Sequence, residues 1–138
     1  MFKVLAIDDD QAVLNYLEVF LIQSGEFIVE CLNDSRKAIE TISHFKPDLV
    51  LLDMEMPYFS GLDILLALSE HADRPEVLVL SGAKNDKLAI QATKLGACDY
   101  LTKPVDEAKL LASIKKPFKI RDLKTDIRTI ENAKADSS

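Results

Sequence analysis

The chain has 138 residues, 48% of them hydrophobic, so it has the size of one domain and can bury a core. No apolar run approaches the roughly 20 residues that a membrane-spanning helix needs, and the N-terminus lacks a secretory pattern, so we expect a cytoplasmic protein without membrane contact. The formal net charge of -6 divides into -9 for residues 1–114 and +3 for residues 115–138, and an acidic body argues against direct nucleic-acid binding by this domain.

Five short apolar runs, rich in Val, Ile and Leu, alternate along the chain with five longer segments of helical periodicity. The runs cover residues 2–7, 27–32, 48–52, 76–80 and 98–101. They are mostly continuous rather than alternating, as expected for strands that are covered on both faces. Strands that alternate with helices in this way indicate an α/β fold with a parallel sheet.

Apolar residues recur at helical spacing in the segments between the runs. The first helix is expected to begin after Asp10, which is placed to cap it, and to stop at Ser24 and Gly25. A fifth helix is expected from about Asp106 to Lys116, because Pro117 lacks an amide donor and should end or kink it. The apolar positions that mark the first four helices are Val13, Leu14, Leu17, Phe20 and Leu21; Ala38, Ile39, Ile42 and Phe45; Leu62, Leu65 and Leu68; and Leu88, Ala92 and Leu95, stopped by Gly96.

Residues 117–138 lie beyond the five strand and helix units, so we divide the chain into a domain over residues 1–116 and a C-terminal helical tail or linker. A short amphipathic helix is expected in the tail, and the polar end over residues 135–138 is expected to be disordered. The apolar positions of the tail helix are Ile120, Leu123, Ile127 and Ile130.

The cysteines and histidines show no metal-ligand spacing. Cys31 and Cys98 lie in apolar segments, so we expect buried structural thiols rather than a redox or zinc site. His44 and His71 each end a predicted helix, where a solvated or capping role is expected. Any metal site would therefore use oxygen ligands.

Polar residues cluster where the predicted strands end. In a parallel α/β sheet these carboxyl ends share one edge, and ligands bind there. Carboxylates this close repel one another unless a cation neutralises them, and oxygen ligands point to a hard ion such as Mg²⁺. A lysine and a hydroxyl at the same edge can bind phosphoryl oxygens. The residues concerned are Asp8, Asp9 and Asp10 after the first strand, Asp53 and Ser81 at the ends of the third and fourth, and Lys103 and Pro104 after the fifth.

Residues 2–116 resemble the receiver domain of bacterial response regulators, which act in two-component phosphorelay signal transduction. The resemblance implies a doubly wound five-stranded parallel sheet of flavodoxin-like order 2-1-3-4-5 with five helices. The matching motifs are the acidic pair Asp8 and Asp9, the phosphoacceptor motif PDLVLLDMEMP at residues 47–57 followed by Gly61, the switch hydroxyl Ser81 in VLVLSG, and Tyr100 and Lys103 in GACDYLTKP.

The resemblance implies a phosphoacceptor switch that catalyses only its own phosphoryl transfer and dephosphorylation. Asp53 would accept a phosphoryl group from a phosphohistidine of a sensor histidine kinase or from a phosphotransfer protein, with Mg²⁺ as cofactor. By position, Asp9 and Asp53 would ligate the metal, Asp8 would hold a metal-bound water, and the backbone carbonyl of Glu55 would be a further ligand. Ser81 and Lys103 would contact the phosphoryl oxygens.

The resemblance also implies how the switch is read. The Lys103–Pro104 peptide would be cis, placing the lysine. Phosphorylation would give Ser81 a bonding partner that it lacks in the resting state, and the ring of Tyr100 would turn inward. The face built by the fourth helix, fifth strand and fifth helix would then control a partner or output domain, or form a homodimer.

Two departures from the family pattern lie in the loop after the third strand. Ser60 stands where relatives often have an Asp before Gly61, and Tyr58 and Phe59 make the loop more aromatic than usual. Simple loop packing is the favoured interpretation of the two rings, and a partner contact is the alternative.

Three other functions are weighed against the switch. A haloacid-dehalogenase-type phosphohydrolase would use Asp8 and Asp10 as its DxD, but the chain lacks that family's later acidic pair and cap, and Asp53 would be unexplained. A receiver-like interaction module that is not phosphorylated stays open. A flavin carrier would need Ser, Thr and Gly in the first loop, where this chain has three aspartates. The chain would be a stand-alone receiver or the N-terminal part of a longer regulator.

Overall fold

The computed structural model describes residues 2–118, 127 and 130. Along these residues all strand neighbours pair in parallel, in the order β2-β1-β3-β4-β5, so the predicted α/β fold and its strand order are confirmed. The elements are β1 Phe2–Ile7, α1 Gln11–Gln23, β2 Phe27–Leu32, α2 Ala38–Phe45, β3 Leu49–Asp53, α3 Gly61–Ser69, β4 Glu76–Ser81, α4 Asp86–Lys94, β5 Asp99–Thr102 and α5 over residues 107–118.

Two apolar clusters cover the two faces of the sheet. On one face, strand residues such as Leu5 and Val50 pack with α2, α3 and α4. On the other, their chain neighbours Val4 and Leu49 pack with α1 and α5. Because consecutive strand residues are buried on opposite faces, the strands appear in the sequence as continuous apolar runs.

The last three strands extend one residue beyond the apolar runs. Asp53 pairs in register with Leu80, and Ser81 pairs with Thr102. These polar residues therefore belong to the hydrogen-bonded strands, and a search for apolar runs does not include them. Their side chains project from regular strand ends rather than from loops.

The helix ends show the capping residue and the glycines that the sequence predicted. The Asp10 side chain accepts a hydrogen bond from the Ala12 N–H at 2.9 Å, which confirms the predicted cap of α1. Gly25 and Gly96 follow α1 and α4 with φ values of 77° and 103°, in the region that glycine adopts at little cost. Within the described residues, no helix is long and apolar enough to cross a membrane.

Pro117 does not end the fifth helix, because helical residues continue through it to residue 118; the bound expected at about Lys116 is therefore too early, and the alternative of a kink stays a prediction. Proline removes one amide donor there, but the next side chain is buried. The Phe118 ring stacks on Phe2 with 3.5 Å between ring centroids and lies 6.3 Å from the Phe27 ring. Ile127 and Ile130 are helical and exposed; the other predictions for the tail, including its disordered end, lie outside the described residues.

Both cysteines are free and half-buried rather than fully buried as expected. The Cys31 thiol lies 3.4 Å from Glu18 Oε2, to which it donates. Burial raises the pKa of Cys31 to about 12 and that of Cys98 to about 11. Both thiols therefore stay protonated near neutral pH, which argues against redox reactivity.

Candidate functional site

Three carboxylates meet at the carboxyl end of the sheet. Asp8 and Asp9 follow β1 and Asp53 ends β3, and one oxygen of each lies within 4.8 Å of the others. The pairing of β1 with β3 places Ile7 opposite Leu52, so the residues that follow, Asp8 and Asp53, emerge side by side. Asp8 is 2% exposed and Asp53 5%, whereas Asp9 is open to solvent.

The ammonium group of Lys103 lies between the two buried carboxylates. Its Nζ donates to Asp8 Oδ2 at 2.6 Å and to Asp53 Oδ1 at 3.1 Å. The Lys103–Pro104 peptide is cis, and the Lys103 N–H donates to the Ser81 carbonyl at 2.7 Å, which fixes the backbone that carries the lysine. Burial alone would lower the pKa of Lys103, but its bonds to Asp8 and Asp53 outweigh that effect and raise the pKa, so the side chain stays charged.

One ammonium group does not neutralise three carboxylates. Burial and then repulsion from Asp8 raise the pKa of Asp53 from 3.8 to about 6, although the hydrogen bond from Lys103 opposes the shift. The second oxygen of Asp8 accepts a hydrogen bond from the Asp10 N–H at 2.9 Å. A cluster of oxygen atoms with this excess of negative charge fits a hard divalent cation such as Mg²⁺.

Ser81 and Tyr100 belong to one chain of hydrogen bonds. The Ser81 hydroxyl is fully buried, accepts from the Ala83 N–H at 3.2 Å, and lies 3.2 Å from Glu55 Oε1 and 3.3 Å from the Ala83 carbonyl. It has a single proton, so it donates to one of these acceptors at a time. The Tyr100 hydroxyl donates to the same Ala83 carbonyl at 3.1 Å. The Glu55 side chain is already a partner of Ser81, so a phosphoryl group on Asp53 would compete with it for the Ser81 proton.

The loop between β3 and α3 closes tightly against the end of β3. The Gly61 N–H donates to the Met54 carbonyl at 2.9 Å. A Cβ atom at Gly61 would lie 2.7 Å from the Asp53 carbonyl oxygen and 2.9 Å from Met54 Cα, so this approach requires glycine. Ser60 and Asp63 form a reciprocal cap at the start of α3, which gives the unusual serine a structural role.

Tyr58 and Phe59 are 70% and 48% exposed, so packing within the loop does not account for the two rings. The guanidinium group of Arg36 lies 4.0 Å from the centroid of the Tyr58 ring. Beneath them the buried hydroxyl of Ser35 donates to the Pro57 carbonyl at 2.6 Å and accepts from the Phe59 N–H at 3.2 Å. Sequence reasoning missed Ser35, because a serine in a loop has no pattern that distinguishes a buried hydroxyl from a solvated one.

A family model described as the response regulator receiver domain matches residues 4–115. Regulatory protein AtoC of Escherichia coli (strain K12) is 28% identical over 131 residues, which cover 95% of this chain and 28% of that protein. Response regulator protein TodT of Pseudomonas putida is 32% identical over 117 residues, which cover 85% of this chain and 51% of that protein. The chain thus spans about half the length of these curated relatives or less. The crystal structure of a response regulator signal receiver domain from Bermanella marisrubri matches with a TM-score of 0.75 and 37% identity, over 83% of this chain and 95% of that one.

Proposed function

Because the chain belongs to the family of response regulator receiver domains of two-component systems, we propose that Asp53 is its phosphoacceptor. The phosphoryl donor would be a phosphohistidine of a sensor histidine kinase or a phosphotransfer protein. The observation that carries this assignment is the buried carboxylate of Asp53, 3.1 Å from the Lys103 ammonium group. A bond forms between an Asp53 oxygen and phosphorus while the phosphorus–nitrogen bond of the donor breaks, and Lys103 offsets negative charge on the transferring group.

We assign Mg²⁺ as the cofactor, with Asp9, Asp53 and the Glu55 carbonyl as ligands. When bound, the ion supplies positive charge that neutralises the carboxylates and the phosphoryl oxygens. Asp9 suits direct ligation because it faces solvent, where Mg²⁺ can keep several of its waters. Asp8 suits an indirect role through a metal-bound water, because its two oxygens already accept bonds from Lys103 and from the Asp10 N–H.

The proposed switch depends on an exchange of hydrogen-bond partners at Ser81. Phosphoryl oxygens on Asp53 would compete with Glu55 for the Ser81 proton and draw the hydroxyl toward Asp53. This movement would displace Ala83, whose carbonyl binds the Tyr100 hydroxyl, and so let the Tyr100 ring, which is already half-buried against the core, turn further inward. The surface of α4, β5 and α5 would change as a result.

The free energy available to the switch is limited. Moving a population from 1:99 to 99:1 requires about 5.5 kcal/mol, and hydrogen bonds to charged groups contribute about 1.5 to 3 kcal/mol each. Ser81 has a single proton and gives up the Glu55 carboxylate when it binds the phosphoryl group, whereas Lys103 has a third N–H donor beyond those that bind Asp8 and Asp53. The net gain is therefore smaller than the sum of two new bonds, and we expect a partial shift.

The activated α4-β5-α5 face would bind a partner or an output domain, or pair with a second copy, in the cytoplasm. Residues 1–116, together with Pro117 and Phe118 at the end of α5, would form the receiver, and the residues after 118 would form a tail or linker. The family match does not favour a haloacid-dehalogenase-type hydrolase, which would also leave the buried Asp53 without a role.

Phosphorylation by acetyl phosphate tests the proposal. Intact-mass measurement should show a single base-labile phosphate that requires Mg²⁺ and is lost in Asp53→Asn. Asp10→Asn should retain it, because Asp10 caps α1. Phosphate on Asp8 instead would favour the hydrolase, and no phosphate on the wild-type chain would favour an interaction module that is never phosphorylated.

A further inference from the structure

A buried hydroxyl from the loop after β2 holds the loop after β3. Ser35 lies in the 3-10 turn Ser35–Lys37 before α2 and is 5% exposed. Its hydroxyl donates to the Pro57 carbonyl at 2.6 Å and accepts from the Phe59 N–H at 3.2 Å. Ser35 thus bonds a polar backbone group on each side of Tyr58.

The backbone at Tyr58 needs such support. Its φ is 70°, a value that aromatic L-residues rarely adopt. The Phe59 N–H also donates to the Pro57 carbonyl at 2.9 Å, and this bond together with the positive φ is the pattern of a rare and strained γ-turn. Strained conformations persist where the surrounding structure fixes them, and the Ser35 hydroxyl binds both ends of this turn.

The γ-turn at Tyr58 also limits the position of Glu55. The bond from the Gly61 N–H to the Met54 carbonyl closes the two ends of the loop, and Ser35 fixes its middle at Pro57. Glu55 lies between these two fixed points. Its carbonyl is the proposed metal ligand, and its carboxylate is the acceptor 3.2 Å from the Ser81 hydroxyl.

We propose that Ser35 is a positioning residue for the metal site, which holds the β3–α3 loop so that the Glu55 carbonyl faces the cation. The inference rests on the proposed function. Loss of a hydrogen bond to a metal ligand commonly lowers metal affinity about 10- to 100-fold. Ser35 acts two residues away from the ligand, so we expect an effect at or below the lower limit of that range, about 5- to 10-fold.

Magnesium titrations followed by the amide resonances of Asp9 and of residues 54–60 test the proposal. Ser35→Ala should raise the Kd for Mg²⁺ about 5- to 10-fold, whereas Ser35→Thr should stay closer to wild type because it keeps the hydroxyl. Ser24→Ala is the matched control, because the Ser24 hydroxyl also donates to a carbonyl at 2.6 Å, that of Leu21, but at the far end of α1. It should leave the Kd within about twofold of wild type, since it removes no bond to the loop.

A second measurement uses the wild-type chain alone. If the turn at Tyr58 and the metal site are coupled, the turn raises the affinity for Mg²⁺ and Mg²⁺ stabilises the turn by the same free energy. Hydrogen exchange at the Phe59 amide should therefore slow when Mg²⁺ is added. An unchanged Kd in Ser35→Ala, an equal loss in Ser24→Ala, or unchanged Phe59 exchange would each overturn the role of Ser35. A wild-type chain that does not bind Mg²⁺ would instead overturn the metal site of the proposed function.

Discussion

The two ends of the sheet bury polar and charged groups in opposite ways. At the amino end, the Lys3 N–H donates to Asp48 Oδ2 at 2.8 Å, and the Asp48 N–H donates to the Lys3 carbonyl at 2.8 Å. Phe2 and Phe27 begin β1 and β2, and their rings pack with the Phe118 ring on one face of the sheet.

At the carboxyl end, Asp8, Asp9 and Asp53 crowd around the ammonium group of Lys103. The pKa of Asp53 is raised by burial and by repulsion from Asp8, so its charged form is held at a cost to the fold. Ser81 stands between alternative acceptors. The comparison indicates that the amino end stabilises the domain, while the carboxyl end keeps charge and exchangeable bonds that a cation and a phosphoryl group can use.

The largest loss of stability is expected at the amino end, in Phe118→Ala. Removing a buried ring that stacks on Phe2 should lower the free energy of unfolding by about 3 kcal/mol, equally with and without Mg²⁺. Urea unfolding with and without Mg²⁺ measures this loss of free energy. Phe59→Ala is the matched control at the carboxyl end; its ring is 48% exposed, so the change should stay within about 0.5 kcal/mol. Similar losses in the two variants would contradict the comparison.

Gly61→Ala should disturb the carboxyl end most strongly. Because the new Cβ would meet the Asp53 carbonyl oxygen at 2.7 Å, the backbone must shift, and we expect a loss of about 1 to 3 kcal/mol together with weaker Mg²⁺ binding. Gly82→Ala is the control, since no atom outside Gly82 and its chain neighbours lies within 4 Å of the added Cβ. Unfolding and Mg²⁺ titration of both variants should separate them; wild-type Mg²⁺ affinity in Gly61→Ala would show that the close contact is unimportant for the site.

Replacing an aspartate by asparagine should stabilise the fold at the carboxyl end of the sheet and destabilise it at the amino end. A pKa raised from 3.8 to about 6 corresponds to about 3 kcal/mol against the charged form at neutral pH. The raised pKa already includes the opposing bond from Lys103 and is caused first by burial and then by Asp8. Asp53→Asn removes the buried charge, so without Mg²⁺ we expect a net stabilisation of about 1 kcal/mol. Asp48→Asn weakens the acceptor of the Lys3 N–H and should destabilise by about 1 kcal/mol.

Thermal unfolding in the presence of a chelator measures both variants. Added Mg²⁺ should stabilise the wild type more than Asp53→Asn, because the variant has lost a ligand carboxylate. A destabilised Asp53→Asn would mean that the ion pair with Lys103 outweighs the repulsion from Asp8.

The smallest expected effect is an exchange of hydrogen-bond partners around Ser81. Beryllofluoride, as a phosphoryl mimic on Asp53, should shift the amide resonances of Ser81, Ala83 and Tyr100 and of residues in α4 and α5, while Lys3 and Asp48 stay unchanged. Glu55→Ala removes the competing acceptor of Ser81 and should make the shift more complete. Changes confined to α1 and α2, with Tyr100 and residues 84–116 silent, would refute the proposed readout face.

Much of the fold could be predicted because its signals are local in the chain. Continuous apolar runs identified the strands, helical spacing identified the helices, and Asp10 was recognisable as the cap of α1. The polar residues at the strand ends could be placed at one edge of the sheet because parallel strands bring their carboxyl ends together. The boundaries were less accurate: β3, β4 and β5 include polar end residues that hydrogen bonds, rather than hydrophobicity, add to the strands.

The amino-acid sequence by itself determined the order of strands and helices and the chemical groups available at the carboxyl edge. Tertiary structure decided that Glu55 is an acceptor for Ser81, that Ser35 supports the turn at Tyr58, and that α5 continues past Pro117 to bury Phe118. The physical reason is distance along the chain. Periodicity and capping act over a few residues, whereas the bond from Ser81 to Glu55 joins residues 26 positions apart and that from Ser35 to Pro57 residues 22 apart, so both depend on how two loops meet in the folded domain.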